Sequence, residues 1–458
     1  MCLLNVGRVA RYPANMIAIL SNPTFRALFA AQIIALVGTG LLTVGLGLLA
    51  YDLAGERAGV VLGMALTLKM VAYVGLSPIA QALATRLPRK AVLVGADVVR
   101  ALVALCLPFV SEVWQIYLLI FVLQSASATF TPAFQAMIPD VLPDEGDYTR
   151  ALSLSRMAYD LENLLSPALA ALLLSFVSYS WLFVGTVLGF VLSGGLVLVA
   201  AVPPLGKDAG QRPFRERLTR GIRIYLATPR LRGLWALNLA ASAVGAFVLV
   251  NTVVLVRAGY GGDERDLALA MAAFGAGSMG AALILPRLLE RMADRPVMMG
   301  GAQGLALVAL VMGAVLAVGG LPGWTVFLLV WAMTGFLYAA ILTPSGRLLR
   351  RSAHAEDRPA VFAAQFALSH ACWLVTYPTA GWAAEILGMG GALVLLGFMA
   401  LLGVVAARVV WPAGLAQEVE HEHPDLPADH PHLRAHGGRR HAHVFVIDDE
   451  HRVWPTQG

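Results

Sequence analysis

Histidines are concentrated in one part of this chain, at a spacing that suits metal binding. The sequence has 10 histidines, and eight of them lie between residues 421 and 451: His421, His423, His430, His432, His436, His441, His443 and His451. Six of the eight form three His-x-His pairs. A neutral imidazole is a good ligand for nickel, cobalt, zinc and copper(II) ions. We therefore predict that these residues bind a divalent metal ion; the alternative is a solvated, unfolded segment, since the region is polar and rich in proline.

The rest of the sequence has the composition of a membrane protein. Hydrophobic residues make up 58% of it and charged residues 13%, and the mean hydropathy is +0.73. A helix needs about 20 apolar residues to cross a bilayer. Such stretches lie near 25–51, 59–83, 91–109, 113–135, 150–177, 180–202, 232–256, 266–289, 297–318, 323–345, 359–386 and 391–411. The predicted fold class is an all-α membrane protein with twelve transmembrane helices in two six-helix bundles.

The positions of lysine and arginine predict the orientation in the membrane. These residues collect in the loops after the second, sixth and tenth spans, whereas the loops after the third, fifth, ninth and eleventh spans have none. Short basic loops stay in the cytoplasm, so both termini are predicted to be cytoplasmic in a bacterial inner membrane. Basic residues that are spread loop by loop also argue against a nucleic-acid partner.

Five regions follow from this pattern. They are a cytoplasmic N-terminal segment, a first bundle, a cytoplasmic linker, a second bundle and a His-rich cytoplasmic tail, at residues 1–24, 25–202, 203–231, 232–411 and 412–458. The linker contains a basic stretch, 214–227, which predicts an amphipathic helix at the membrane surface.

The loop after the second span carries a motif of a known transporter family. Residues 81–90 read Gln-Ala-Leu-Ala-Thr-Arg-Leu-Pro-Arg-Lys and resemble the Gly-x-x-x-Asp-Arg-x-Gly-Arg-Lys loop of the major facilitator superfamily. The first glycine, the aspartate and the second glycine of the pattern are replaced here by Gln81, Thr85 and Pro88. Residues 131–139 and 166–168 are similar to segments of drug and siderophore exporters in this superfamily. The resemblance implies a two-bundle transporter with a conformational loop that contains the matching residues Arg86, Arg89 and Lys90.

Two further segments resemble a narrower group. Residues 364–378 contain Ala-Gln-Phe-Ala-Leu-Ser-His-Ala-Cys-Trp followed by Tyr-Pro, and residues 441–451 read His-x-His-Val-Phe-Val-Ile-Asp-Asp-x-His. Both segments are similar to nickel-resistance exporters of the superfamily, which combine a twelve-helix body with a histidine-rich cytoplasmic tail. The resemblance implies metal efflux and leaves the identity of the metal open.

Ionisable residues inside the predicted spans are candidates for transport, because a charge at membrane depth is costly unless it is paired or faces water. In the fifth span Arg156, Asp160 and Asn163 follow one another at spacings of four and three, which places them on one helical face, and Glu162 lies on an adjoining stripe. In one interpretation Arg156 and Asp160 are a structural pair. In the other, Asp160 or Glu162 faces the central cavity and exchanges a proton for a cation.

Other spans contribute four more candidates. Asp97 and Arg100 of the third span are three residues apart, and we expect a stabilising pair, with a transport role as the alternative. Lys69 of the second span is expected either to pair with an acidic residue of another span or to take part in coupling. His370 is the one histidine within a predicted span. It is either a core residue or a ligand or proton acceptor on the transport path.

The sequence shows no motif for enzymatic chemistry. It lacks the Gly-x-x-x-x-Gly-Lys-Ser/Thr phosphate loop, so transport driven by ATP is unsupported. We therefore predict a monomeric secondary transporter in the bilayer, not an enzyme, which needs no cofactor and exchanges protons for nickel or cobalt. The same ions are predicted to bind the tail. The alternatives are export of a drug or siderophore, and a membrane-bound metal sensor whose helices do not transport.

Overall fold

The computed structural model describes residues 17–76, 88–144, 172–202, 214–354, 357–415 and most of 418–455, together with scattered positions between 147 and 170. The chain divides into two compact units. Unit 1 comprises Met1–Ala54, Val71–Ala209 and Glu264–Ala272, and unit 2 comprises Gly55–Met70, Gly210–Asp263 and Ala273–Gly458. The tail thus belongs to unit 2. The boundaries of the two bundles expected at 25–202 and 232–411 stay a prediction.

Long apolar helices make up most of both units. In chain order, the α-helices whose bounds the structure describes are α1 (Pro23–Ala54), α2 (Ala58–Val71), α3 (Arg89–Cys106), α4 (Val113–Val141), α5 (Ser180–Val199), α6 (Phe214–Ala227), α7 (Pro229–Val254), α8 (Glu264–Arg291), α9 (Asp294–Val318), α10 (Trp324–Leu342), α11 (Ser345–Arg350), α12 (Arg358–Val410) and α13 (Pro431–His436). The amphipathic helix expected at 214–227 has the same bounds as α6.

Within the described residues, nine helical stretches are long and apolar enough to cross a membrane. Two of them, Pro23–Gly75 and Ala360–Val410, have 53 and 51 residues, and each covers two of the predicted spans. Helix α12 is interrupted at Gly388, whose φ of 72° favours a residue without a Cβ atom. The predicted fifth span, 150–177, lies largely outside the described residues. The count of twelve spans and the cytoplasmic position of both termini therefore stay predictions.

Glycines set the distance between α1 and α5 in unit 1. A Cβ atom on Gly189 would lie 3.1 Å from the carbonyl oxygen of Ile34 and 3.2 Å from the Cα atom of Gly38. This close approach lets the Thr186 hydroxyl donate to the carbonyl of Gly38 at 2.8 Å. Small residues at such crossings let two backbones pack closely where no water drives association.

The tail forms a small folded module in unit 2. Strand β1 (Glu418–Glu422) pairs antiparallel with β2 (Arg440–Val444), and α13 lies between them in sequence. After β2, the side chains of Phe445, Ile447 and Trp454 are buried. The alternative of an unfolded segment is therefore wrong for the described part of the tail, which has paired strands and buried apolar side chains.

Candidate metal centre

The period of a β-strand places three of the tail histidines on one face. His421 lies on β1, His441 and His443 lie on β2, and His421 is the register partner of His441. Residues i and i+2 of a strand point to the same side. The His-x-His pair of β2 therefore presents both imidazoles to the imidazole on β1.

Three more histidines reach the same point from outside the strand pair. His423 follows β1, His432 lies on α13 and His451 lies in a turn after β2. The Nε2 atom of His421 is 3.1 Å from that of His423 and 3.0 Å from that of His451. The Nε2 atoms of His432 and His441 are 3.0 Å apart. Together, six residues form the histidine cage: His421, His423, His432, His441, His443 and His451.

Two sets of four ligands can be drawn within the histidine cage. One set contains His423 and His451, the other contains His441 and His443, and both include His421 and His432. In each set the ligand nitrogens lie within 4.8 Å of one another. This spacing is that of donors around a common cation, and the donor set is the one that nickel, cobalt, zinc and copper share.

The ring nitrogens that face away from the centre of the cage have fixed acceptors. His421 Nδ1 donates to the carbonyl of Val419 at 2.9 Å, and His451 Nδ1 donates to the carboxylate of Asp448 at 2.8 Å. The same contact to a carbonyl oxygen is made by His441 and His443, through Gly438 and Val444. Because these oxygens only accept, Nδ1 carries a proton in each ring, and in the neutral ring Nε2 keeps its lone pair. Contacts of this kind orient histidines that bind metals.

The cage also keeps three of its imidazoles uncharged. Burial lowers the pKa of His423 and of His432 to about 4, and the neighbouring imidazoles add to the shift. The pKa of His421 is lowered too, mainly by burial. These rings are neutral at neutral pH, which is the form in which imidazole binds a metal ion.

Acidic residues next to His451 attach the tail to the rest of unit 2. Asp448 Oδ2 lies 3.2 Å from Nε2 of His354. Arg220 on α6 donates to Asp449 at 2.8 Å, and the same guanidinium pairs with Asp357, the residue before α12, at 2.5 Å. Together, five residues form the docking cluster: Arg220, His354, Asp357, Asp448 and Asp449. A single turn, residues 448–451, thus supplies both a cage ligand and the attachment to α6 and α12.

The charges of the docking cluster are fixed by their partners. Burial acts to raise the pKa of Asp448, but hydrogen bonds from His451 outweigh it and hold that pKa well below its usual range. The hydrogen bond from Arg220 lowers the pKa of Asp449. The hydrogen bond to Asp357 raises the pKa of Arg220. Both tail carboxylates are therefore charged at neutral pH.

Arg230, at the start of α7, is a second attachment point for the tail. Its side chain is 6% exposed. The guanidinium donates to the Ser352 hydroxyl at 2.7 Å and to the carbonyl of Arg351 at 2.8 Å. From the tail, the carbonyl of Phe445 lies 3.5 Å away and the ring of Trp454 lies 5.4 Å away. Two tail residues thus help to satisfy a buried cation of α7.

Two of the eight histidines expected as ligands are not part of the cage as described. The Nδ1 atom of His430 accepts a hydrogen bond from the backbone N–H of His432 at 3.4 Å. His436 is the last residue of α13, and its side chain lies outside the described residues. Five further candidates lie wholly outside the described residues: Arg86, Arg156, Asp160, Glu162 and Asn163.

In unit 1, the structure pairs Asp97 with Arg100. Arg100 donates to one carboxylate oxygen, and the Ser193 hydroxyl donates to the other at 2.8 Å. The guanidinium also lies over the rings of Phe130 and Phe190, 4.3 and 4.5 Å from their centroids. A carboxylate that is satisfied at both oxygens favours the structural interpretation of this pair over a transport role.

The remaining candidates lie at separate places. Arg89 pairs with Asp140 at 2.5 Å, and Lys90 donates to the carbonyl of Leu198 at 2.9 Å, so these two residues fix the start of α3. Lys69 is half-buried on α2. His370 on α12 donates from Nδ1 to the carbonyl of Phe366 at 2.7 Å.

The sequence alone indicates neither the docking cluster nor a role for Arg230. Arg220 and Asp449 are 229 residues apart in the chain, and no local spacing connects them. The available signal was the pair Asp448-Asp449 itself, three and two residues before a predicted metal ligand.

The sequence profile of the Major Facilitator Superfamily matches residues 28–263 and 239–438. Macrolide efflux protein A of Streptococcus pyogenes is 28% identical over 187 residues, which are 40% of this chain and 45% of that protein. The chain thus spans about half the length of this relative. An uncharacterized MFS-type transporter of Bacillus subtilis, YfiS, is 25% identical over 349 residues, 72% of this chain and 81% of that protein.

Solved structures of transporters share the fold. The nucleoside transporter NupG matches with a TM-score of 0.62 at 13% identity, covering 85% of this chain and 99% of that chain. The peptide transporter POT matches with a TM-score of 0.64 at 12% identity, covering 87% and 98%. Identities this low show the fold and not the substrate. With the profile match over most of its length, the chain belongs to the Major Facilitator Superfamily and has the multi-pass α-helical fold of its transporters.

Proposed function

We propose that this protein is a secondary exporter of divalent metal ions, nickel and cobalt, which it moves across a bacterial inner membrane in exchange for protons. The observation that carries the proposal is the histidine cage, where six imidazoles from five separate positions of the fold converge on one point. Export of a hydrophobic drug has no need of such ligands. The family supports the transport half of the proposal, and the cage supports the metal half.

The place of the cage suggests what it does for transport. The docking cluster joins the turn at residues 448–451 to α6 and to the start of α12, the helix that carries His370. We assign to the cage the capture of metal beside the transport path. Proton coupling is assigned to Asp160, with Glu162 and Asn163 beside it, as the sequence suggests.

Cellular metal content tests the proposal. In metal-sensitive bacteria that express the chain, we expect nickel and cobalt to fall several-fold below the level in cells without it, while zinc and copper stay the same. Asp160→Asn is expected to restore the higher nickel level, because it removes the proposed proton carrier. Elemental analysis of washed cells measures all four metals. Unchanged nickel and cobalt, with the chain present in the membrane, would rule the proposal out.

Drug export is the second candidate, favoured by the similarity to macrolide efflux protein A. A drug exporter should raise the macrolide concentration that stops growth, and alanines throughout the cage should leave that resistance intact. A metal exporter should leave macrolide sensitivity as it was and should lose nickel tolerance when the cage is removed. The two assays on one pair of strains therefore separate the candidates.

A further inference from the structure

The six rings of the histidine cage stand at the corners of an octahedron. Each ring has four neighbouring rings in the cage, with centroids 4.7–5.3 Å away. For each ring, the one cage ring that is not among its four neighbours lies opposite it, across the centre of the cage. The three opposite pairs are His421 with His432, His423 with His443, and His441 with His451.

The distances among three of the ligand nitrogens fit the same figure. Adjacent nitrogens are about 3.0 Å apart in an octahedron with metal–imidazole bonds of about 2.1 Å, and about 3.4 Å apart in a tetrahedron with the same bonds. In the cage, the Nε2 atoms of His421, His423 and His451 are 3.0–3.1 Å from one another. The spacing of these three nitrogens is therefore closer to that of one face of an octahedron than to that of a tetrahedron.

The tautomers explain why these nitrogens belong around a cation. His421 and His451 each donate from Nδ1 to a fixed oxygen acceptor, so in the neutral form of each ring Nε2 has a bare lone pair. Two bare lone pairs that face each other at 3.0 Å repel. A positive ion at the centre of the cage turns the same arrangement into two coordinate bonds.

We propose that the histidine cage binds one divalent ion through six imidazoles and thereby retains nickel or cobalt in preference to zinc. Nickel(II) and cobalt(II) gain ligand-field stabilisation in an octahedron, whereas the filled d shell of zinc gains none and zinc takes four ligands in structural sites. Intrinsic affinities do not favour nickel over zinc strongly, so geometry must provide the selection. This inference rests on the metal half of the proposed function and names the ion that the tail holds.

Cobalt(II) reports its own coordination number, which makes it the probe. In the purified full-length chain in detergent, one equivalent of cobalt is expected to give the weak visible absorption of a six-coordinate ion. Tetrahedral cobalt absorbs far more strongly and at longer wavelength. An intense tetrahedral spectrum, or two bound ions per chain, would overturn the proposal without recourse to any variant.

Competition between metals tests the selectivity. With equal nickel and zinc, each in excess over the protein, we expect bound nickel to exceed bound zinc by at least severalfold, as counted by elemental analysis. His423→Ala leaves five imidazoles and should reduce this ratio, whereas His430→Ala, outside the cage, should leave it unchanged. Zinc bound in excess would overturn the selectivity. Excess zinc in the cage would not contradict nickel export by cells. Conversely, a lack of export would not contradict an octahedral cobalt spectrum, so the export proposal and the coordination proposal can fail separately.

Discussion

Arg220→Ala is expected to release the tail from α6 and to destabilise unit 2 by about 3 kcal/mol. The reason is that the substitution leaves Asp357, whose side chain is 6% exposed, as a buried carboxylate without its guanidinium. It also removes the 2.8 Å contact to Asp449. The expected results are a lower thermal unfolding temperature of the purified chain and faster cleavage of the tail by trypsin.

Arg223→Ala is the matched control for this prediction. Arg223 lies on the same helix, and its guanidinium is 3.4 Å from Asp449, but its side chain is 45% exposed. Exposed pairs of this kind contribute about 0–1 kcal/mol. If the Arg220→Ala and Arg223→Ala variants have the same unfolding temperature and the same rate of tryptic cleavage, Arg220 does not hold the tail in the way the structure indicates.

Asp448→Asn is expected to weaken nickel binding to the cage about 10-fold, the lower end of the range for losing a carboxylate behind a histidine ligand. The asparagine keeps the shape of the side chain but loses the charge that strengthens His451 as a donor. The ligand itself is unchanged, so the effect isolates the positioning role of Asp448. Competition with a coloured chelator, on the purified full-length chain, measures the affinity.

Two variants separate this role from docking. Glu450→Gln removes a neighbouring, exposed charge and should leave the affinity unchanged. His354→Ala removes the contact that Asp448 makes outside its own turn, while the contact to the His451 ring at 2.8 Å is retained. An affinity loss in His354→Ala equal to that in Asp448→Asn would mean that docking, not the carboxylate on His451, governs metal binding.

The apolar helices could be located in the sequence because a bilayer demands a fixed length of apolar residues. The span expected at 297–318 is α9 (Asp294–Val318), and that expected at 232–256 is α7 (Pro229–Val254). The differences of a few residues arise at the ends, where polar residues continue a helix beyond the apolar stretch. Composition has no information about such ends.

The histidine cage was predictable by residue type but not by arrangement. The spacing of two in His441-x-His443 suits chelation and fits a strand equally well, and in the structure both residues lie on one face of β2. The pairing of β1 with β2 depends on contacts between distant segments. So does the position of His432 on α13, whose Nε2 faces His441 while its backbone N–H donates to His430. The octahedron therefore exists only at the level of tertiary structure.

The contact between Arg230 and the tail has a consequence for biosynthesis. The carbonyl of Phe445 that faces this guanidinium belongs to a residue made 215 positions after it. At about 5–20 residues per second, a ribosome reaches that position about 10–40 s after making Arg230. Throughout that interval the guanidinium of Arg230 lacks its contacts to the tail. A chain that stops before residue 445 never forms them. An interrupted chain therefore leaves this guanidinium more accessible to solvent than the finished chain does.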